Sequence, residues 1–239
     1  MTSFEPIELT DDHILHHDEH LVAVNKEPGW PVHATRDPSR PHLERAAAAR
    51  FGPSLGVVHR LDVWTSGVVL LARTPEARRR LNALFEQRAV TKTYEAVCVG
   101  TPDPPEGTLR HHLARRREGG RDVMHSVRSG GKVAVTTYRL LGSAPVDGLL
   151  LSLMQLVPQT GRTHQLRVQA AEAGWPILGD PLYRAAVTEP ALPGQCLHAV
   201  SLAFDDPWTG EQRLLSAPPP NGFDHYARRL RRPGGHARF

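Results

Sequence analysis

Cysteine, lysine and long apolar runs are all scarce in this chain, and each scarcity excludes something. The two cysteines, Cys98 and Cys196, sit in apolar segments without CxxC spacing. That pattern excludes a disulfide scaffold and a cysteine zinc site, and it predicts buried, reduced thiols in a cytoplasmic protein. The longest apolar stretches, 68–72 and 149–156, fall well short of the roughly 18 residues that span a bilayer, so no membrane partner is expected. The opening MTSFEPIELTDDH carries acids and no apolar run, which excludes a secretory signal. Lysine occurs at positions 26, 92 and 132 alone, so arginine dominates the 29 basic residues. Guanidinium forks suit phosphates and stack on bases, which fits a nucleic-acid partner. Abundant Arg, Ala, Pro and Gly equally suit a GC-rich genome, so composition alone decides little.

What is present suits a globular domain. At 239 residues with 40% hydrophobic and 23% charged residues and a net charge of +4, the chain is long enough for a full core. Residues 21–25 read as an apolar strand ending in the turn signal Glu27-Pro28-Gly29. An Ala-rich helix is predicted over 43–50, closed by Gly52. The run 67–72 has the pattern of a strand buried on both faces. Thr74 and Pro75 then open a helix whose apolar positions Ala77, Leu81, Leu84 and Phe85 fall on one stripe. Further strands are predicted over 92–99, 132–141, 149–157 and 196–204, and a helix over 163–173 stopped by Gly174. The His- and Arg-rich stretch 110–131 reads as a long loop or weak hairpin. No repeat or linker divides the chain. The expectation is an N-terminal extension at 1–14, one α+β catalytic domain over 15–224 with a mixed, largely antiparallel sheet, and a basic tail at 225–239.

The chemistry concentrates in His59-Arg60-Leu61-Asp62, a polar group between Gly56-Val57-Val58 and Thr65-Ser66-Gly67. Ionisable side chains wedged between apolar segments are costly unless paired or lining a cleft. Taken as four letters, a capped turn with a solvated arginine explains them as well. The flanking sequence decides otherwise. The segment 58–74, VHRLDVWTSGVVLLART, resembles the nucleophile motif of the RluA-type RNA pseudouridine synthases. Four further blocks follow the family's order: LVAVNKEPGWPVH at 21–33, RAVTKTYEAVCVG at 88–100, TGRTHQLRVQAAEAGWPILGD at 160–180 and HAVSLAFDDPWTGE at 198–211. The likeness runs from about 15 to 223, nearly the whole chain.

That resemblance implies the pseudouridine synthase fold, helices flanking a sheet with a central cleft. It also implies conversion of uridine to pseudouridine in structured RNA, tRNA or rRNA. The reaction breaks the bond from ribose C1′ to uracil N1 and re-forms it through C5. No atoms or electrons are gained or lost, so no cofactor or metal is required; a nucleophile that holds one fragment is. By resemblance Asp62 is that nucleophile, by attack at C1′, by attack at C6 or through a glycal route. Arg167 matches the basic residue paired with the catalytic acid, and a neighbouring guanidinium lowers a carboxyl pKa by about 1–3. Helical spacing puts His164, Arg167 and Ala171 on one face. Tyr94 matches the tyrosine that stacks on the target base. Arg60 matches the arginine that enters the RNA beside the extruded nucleotide, whose unstacking costs a few kcal/mol. His59, Lys92, Arg162 and His164 complete the RNA-binding set.

Three positions depart from the family pattern. Glu27 stands where proline is usual, Val63-Trp64 replaces a commonly polar pair, and Gln169 stands where histidine is frequent. About 14 residues precede the first block, too few for the S4-like RNA-binding domain of longer members. A monomer is expected. Two rival readings remain in view. The cluster His16-His17-Asp18-Glu19-His20 invites a metal hydrolase, although adjacent ligands converge poorly on one ion and HExxH spacing is absent; a solvated loop is the plainer reading. A catalytically inactive RNA-binding protein of the same fold would use the runs 78–80 and 115–117 and the arginine-rich tail equally well.

Overall fold

The computed structural model describes residues 4–118, 121–183 and 194–231. The chain divides into two compact units, one of residues 1–92 and 199–219, the other of 93–198 and 220–239.

The first unit is a sheet covered on both faces. Its strands are β1 (Ile14–His17), β2 (Leu21–Lys26), β3 (Gly56–Val57), β4 (Ser66–Ala72), β10 (Leu197–Asp205) and β11 (Gln212–Ser216). They run in the order β1-β2-β4-β10, with β3 against β4 and β11 against β10. Strand β2 pairs antiparallel with β4, Leu21 opposite Ala72 and Lys26 opposite Gly67, and every residue of both strands is buried. Because side chains alternate across a strand, the two sets go to two cores. Leu21, Ala23, Val68 and Leu70 pack with Ala77 and Leu81 of helix α2 (Pro75–Glu86). Val22, Val24, Val69 and Leu71 pack with Leu43 and Ala47 of helix α1 (Leu43–Phe51). The cap of α2 is as expected: the Thr74 hydroxyl accepts from Ala77 N–H at 3.1 Å, and Pro75 follows.

The second unit has the strand order β5-β9-β8-β6-β7. These are β5 (Thr91–Val99), β6 (Glu106–Glu118), β7 (Arg121–Val127), β8 (Lys132–Val146) and β9 (Leu149–Pro158). The pairings of β5 with β9, β9 with β8, β8 with β6 and β6 with β7 are all antiparallel. Helices α3 (Gln165–Glu172) and α4 (Asn221–Leu230) complete it. The core gathers Ala96, Val97, Leu153, Met154 and Trp175 with Phe223, Tyr226 and Leu230 of α4. The fold class is therefore α+β, as the sequence implies.

Of the two readings of 110–131 the hairpin holds, and three other expectations change. The stretch 110–131 is an ordered strand pair, with His112 opposite Val127 and Arg116 opposite Val123; Leu113 and Ala134, both buried, anchor it against Val168 of α3. Sequence periodicity left it open between a loop and a hairpin because apolar residues are few there. The region from 225, expected as a basic tail, begins inside α4, whose Tyr226, Ala227 and Leu230 are core residues; 232–239 lie outside the described residues. Finally, His164 is not in a helix. It is the N-cap of α3 with φ 52°, so it does not share a helical face with Arg167. The expected solvated loop at 16–20 is likewise partly strand. Asp18 there accepts from His20 and Leu21 N–H and from Arg213 at 2.7 Å.

Candidate functional site

Asp62, Arg60, His59 and Lys92 belong to the first unit, while Tyr94, Arg162, His164 and Arg167 belong to the second. Each set is held by its own scaffold.

The Asp62 loop is pinned from beneath. Lys26, the last residue of β2, has no exposed surface. Its ammonium donates to the carbonyls of Glu27, Trp30 and Val63, each at 2.9 Å. Burial pushes the Lys26 pKa down to about 7, and the charges of Asp62 and Glu27 pull it back upward. A neutral amine has only two N–H donors, so three carbonyl partners call for the ammonium form. The carbonyl of Val63 also accepts from Gly29 N–H at 2.8 Å, and Thr65 N–H donates to the Asp62 carbonyl at 3.1 Å. A half-buried carboxylate thus sits in a short, backbone-fixed loop beside a buried cation.

His59 and Arg60 turn opposite ways. The His59 Nε2 accepts from Leu70 N–H at 3.0 Å, and its ring stacks on Phe85 with centroids 4.7 Å apart. Burial, assisted by the nearby Lys92 cation, pushes its pKa down to about 3, so the ring is neutral. Lys92 is itself held below its usual range by burial and by Arg88. Arg60 is exposed, with Nη1 3.4 Å from His33 Nε2. His33 is held below its ordinary pKa by burial and by that guanidinium.

In the second unit Tyr94 lies opposite Leu156 and packs half-buried against the core. Arg167 is only 5% exposed, so it is no surface arginine. Its Nε and Nη2 donate to the two Asp180 oxygens at 2.6 and 2.9 Å, and the Tyr183 ring lies 5.1 Å from its guanidinium carbon. Asp180 Oδ1 also accepts from Leu182 and Tyr183 N–H. His164 Nδ1 is 2.8 Å from the Tyr183 hydroxyl, which accepts from Met124 N–H at 3.0 Å. Arg162 donates through Nε to the Val133 carbonyl at 3.1 Å. Gln169, the departure from histidine, is fully buried and satisfied: Thr136 donates to it at 2.6 Å, and it donates to the Leu109 and Ala134 carbonyls.

Sequence reasoning missed Lys26 and Asp180. A lysine closing an apolar strand just before a Pro-Gly turn was the available signal for the first. For the second it was an acid ending the third block.

Comparison with known proteins shows the family. The family model for RNA pseudouridylate synthase matches residues 20–172. The chain belongs to the RluA-type RNA pseudouridine synthases. It is similar to the dual-specificity RNA pseudouridine synthase RluA of Pasteurella multocida, 34% identical over 209 residues, covering 86% of this chain and 92% of that one. The ribosomal large subunit pseudouridine synthase C of Rickettsia felis is 32% identical over 213 residues, covering 87% of this chain and 68% of the relative. Among solved structures, human RNA pseudouridylate synthase domain containing 4 superposes with a TM-score of 0.72 at 31% identity, covering 92% of this synthase and 94% of that chain. The synthase isomerises uridine to pseudouridine in RNA. No helix among its described residues is long and apolar enough to cross a membrane.

Proposed function

We propose that this synthase acts through Asp62 as its nucleophile on a uridine extruded from a structured rRNA or tRNA. Arg167 is the cation that keeps the carboxylate ionised, and Tyr94 stacks on the turning base. Arg60 fills the vacated place in the RNA stack, with Lys92, Arg162 and His164 as phosphate or base contacts. His59 serves the RNA site by orienting the loop that carries Arg60 and Asp62, since its ring nitrogen is committed to Leu70 N–H. The enzyme works as a monomer in the cytoplasm, where the buried thiols of Cys98 and Cys196 stay reduced.

The observation that carries the reading is the Asp62 loop. Its carboxylate lies near a fully buried ammonium whose three donors fix the backbone on either side. Such a group starts the reaction without reorganising its surroundings, and that is how preorganised sites lower barriers. The leaving uracil re-bonds through C5, and the C5 hydrogen passes to solvent. Release of tritium from RNA labelled at uridine C5 therefore counts turnovers. Asp62→Asn and Asp62→Ala are expected to release none while binding the same RNA as the unaltered protein. Turnover surviving in both variants refutes the assignment. An RNA-binding protein without catalysis would release no tritium even with Asp62 in place.

A further inference from the structure

Among the described residues the exposed large apolar side chains are Phe4, Trp64, Leu150 and Leu214. Of these, only Trp64 lies in the segment carrying Asp62. A tryptophan left 38% exposed on the loop that carries Asp62 is unusual, because the indole is among the largest apolar groups a core can use.

The surroundings of Trp64 hold it there. A Cβ built on Gly29 would meet the six-membered ring at 3.1, 3.6 and 3.7 Å, so that ring rests directly on the glycine backbone. Gly29 has φ +91° and bears no side chain to lift the indole away. Backbone on both sides of the contact is tied down, since Val63 O accepts from Gly29 N–H and from Lys26 Nζ. The contact is therefore between two fixed pieces of chain. The same two loops carry cations: Arg40 Nη2 lies 3.4 Å from the Gly29 carbonyl, and Arg60, four positions before Trp64, is exposed. An exposed aromatic ring held in place on loops that also carry guanidinium groups suits unpaired nucleic acid, with bases stacking on the ring and phosphates meeting the cations.

We propose that Trp64 is a stacking platform for an unpaired RNA base next to the uridine that Asp62 attacks, and that it contributes to the choice of substrate. The proposal rests on Asp62 being the site of chemistry. Two residues of chain span at most about 7 Å, so a base on Trp64 belongs to a nucleotide adjoining the target. Stacking accepts any base, so Trp64 selects for a neighbour free to leave its own stack, as in a loop or bulge. The uridine of a continuous helix offers no such neighbour.

The test uses in vitro transcribed rRNA and tRNA labelled with tritium at uridine C5. Trp64→Tyr keeps an aromatic face, whereas Trp64→Leu keeps apolar bulk over Gly29 without a face for stacking. Leu214→Ala, on β11, serves as the control. On the RNA that the unaltered protein modifies, Trp64→Leu is expected to raise KM on the order of ten- to a hundredfold. The loss falls on KM more than on kcat. Trp64→Tyr stays within a few-fold and Leu214→Ala is indistinguishable. The same loss of affinity is expected when Trp64→Leu is combined with Asp62→Asn and binding alone is measured. An unchanged KM in Trp64→Leu overturns the proposal, and so does a loss in Trp64→Tyr as large as in Trp64→Leu. Tritium release that survives in Asp62→Asn and Asp62→Ala would instead overturn the role of Asp62.

Discussion

Asp180 offers the sharpest quantitative test. Its side chain is fully buried and meets an arginine that is 5% exposed, through two bonds of 2.6 and 2.9 Å. Breaking a buried ion pair by neutralising one member costs about 3–5 kcal/mol, because water does not replace the lost charge-assisted bonds. Asp180→Asn makes this change while leaving an oxygen for the Leu182 and Tyr183 amides, so the deficit falls on the Arg167 guanidinium. For a chain of this size each kcal/mol moves the melting temperature by about 2–4 °C, which gives a fall of roughly 6–20 °C. Urea denaturation followed by circular dichroism measures the free energy directly. Replacing both partners by apolar side chains, Arg167→Met with Asp180→Leu, is expected to destabilise less than the sum of the single changes, because neither charge is stranded. Activity behaves differently: both the Asp180→Asn and the doubly substituted protein are expected to lose turnover, since each disturbs or deletes the guanidinium. A cost below about 1 kcal/mol for Asp180→Asn, a value typical of exposed pairs, would refute the claim that this pair is sealed from water.

Two further outcomes follow from the first unit. Gly67→Ala would place a methyl on the Ala199 carbonyl at a residue with φ +110°; a loss of several kcal/mol is expected, or failure to fold, and a fully stable variant would show that β4 and β10 separate easily. His59 has its pKa lowered from 6.5 to about 3, so between those values the unfolded chain binds a proton that the folded chain does not. Stability contributed by the neutral ring is complete above about pH 6.5 and is lost as pH falls toward 3. Denaturation measured across that window is expected to show a shallower decline in His59→Gln, whose amide oxygen can still accept from Leu70 N–H; identical slopes would exclude the assignment.

The elements legible in sequence were those where local pattern and tertiary need coincide. The buried run 67–72 became β4, and Thr74-Pro75 capped α2, because burial on two faces and an N-cap each leave a direct mark on residue choice. The pair β6–β7 was legible only as one of two readings, for the opposite reason. Its exposed positions are mostly charged, its buried ones few, and its order comes from backbone pairing to β8 and from the anchor at Leu113. Helix α4 was half-hidden by the same arginines, since Phe223, Tyr226 and Leu230 are only three large apolar side chains among polar ones.

The site divides along the same line. Asp62, Tyr94 and Arg167 were nameable because they stand in motifs. What supports them was not, because Lys26 and Asp180 are charged residues in fully buried places, and no composition rule expects a charge there. The physical need explains both. A loop that must present a carboxylate in one geometry cannot be held by apolar packing alone, which leaves backbone carbonyls free to choose other partners. Lys26 removes that freedom by taking three carbonyls from two segments at once. Asp180 does the same for Arg167, fixing the direction of its fork while two backbone amides fix Asp180 in turn. In each case desolvating a charge is a cost that a purely structural position would avoid. Its acceptance at Lys26 and at Asp180 argues that orientation of the charged groups, more than stability, is what these buried ions provide.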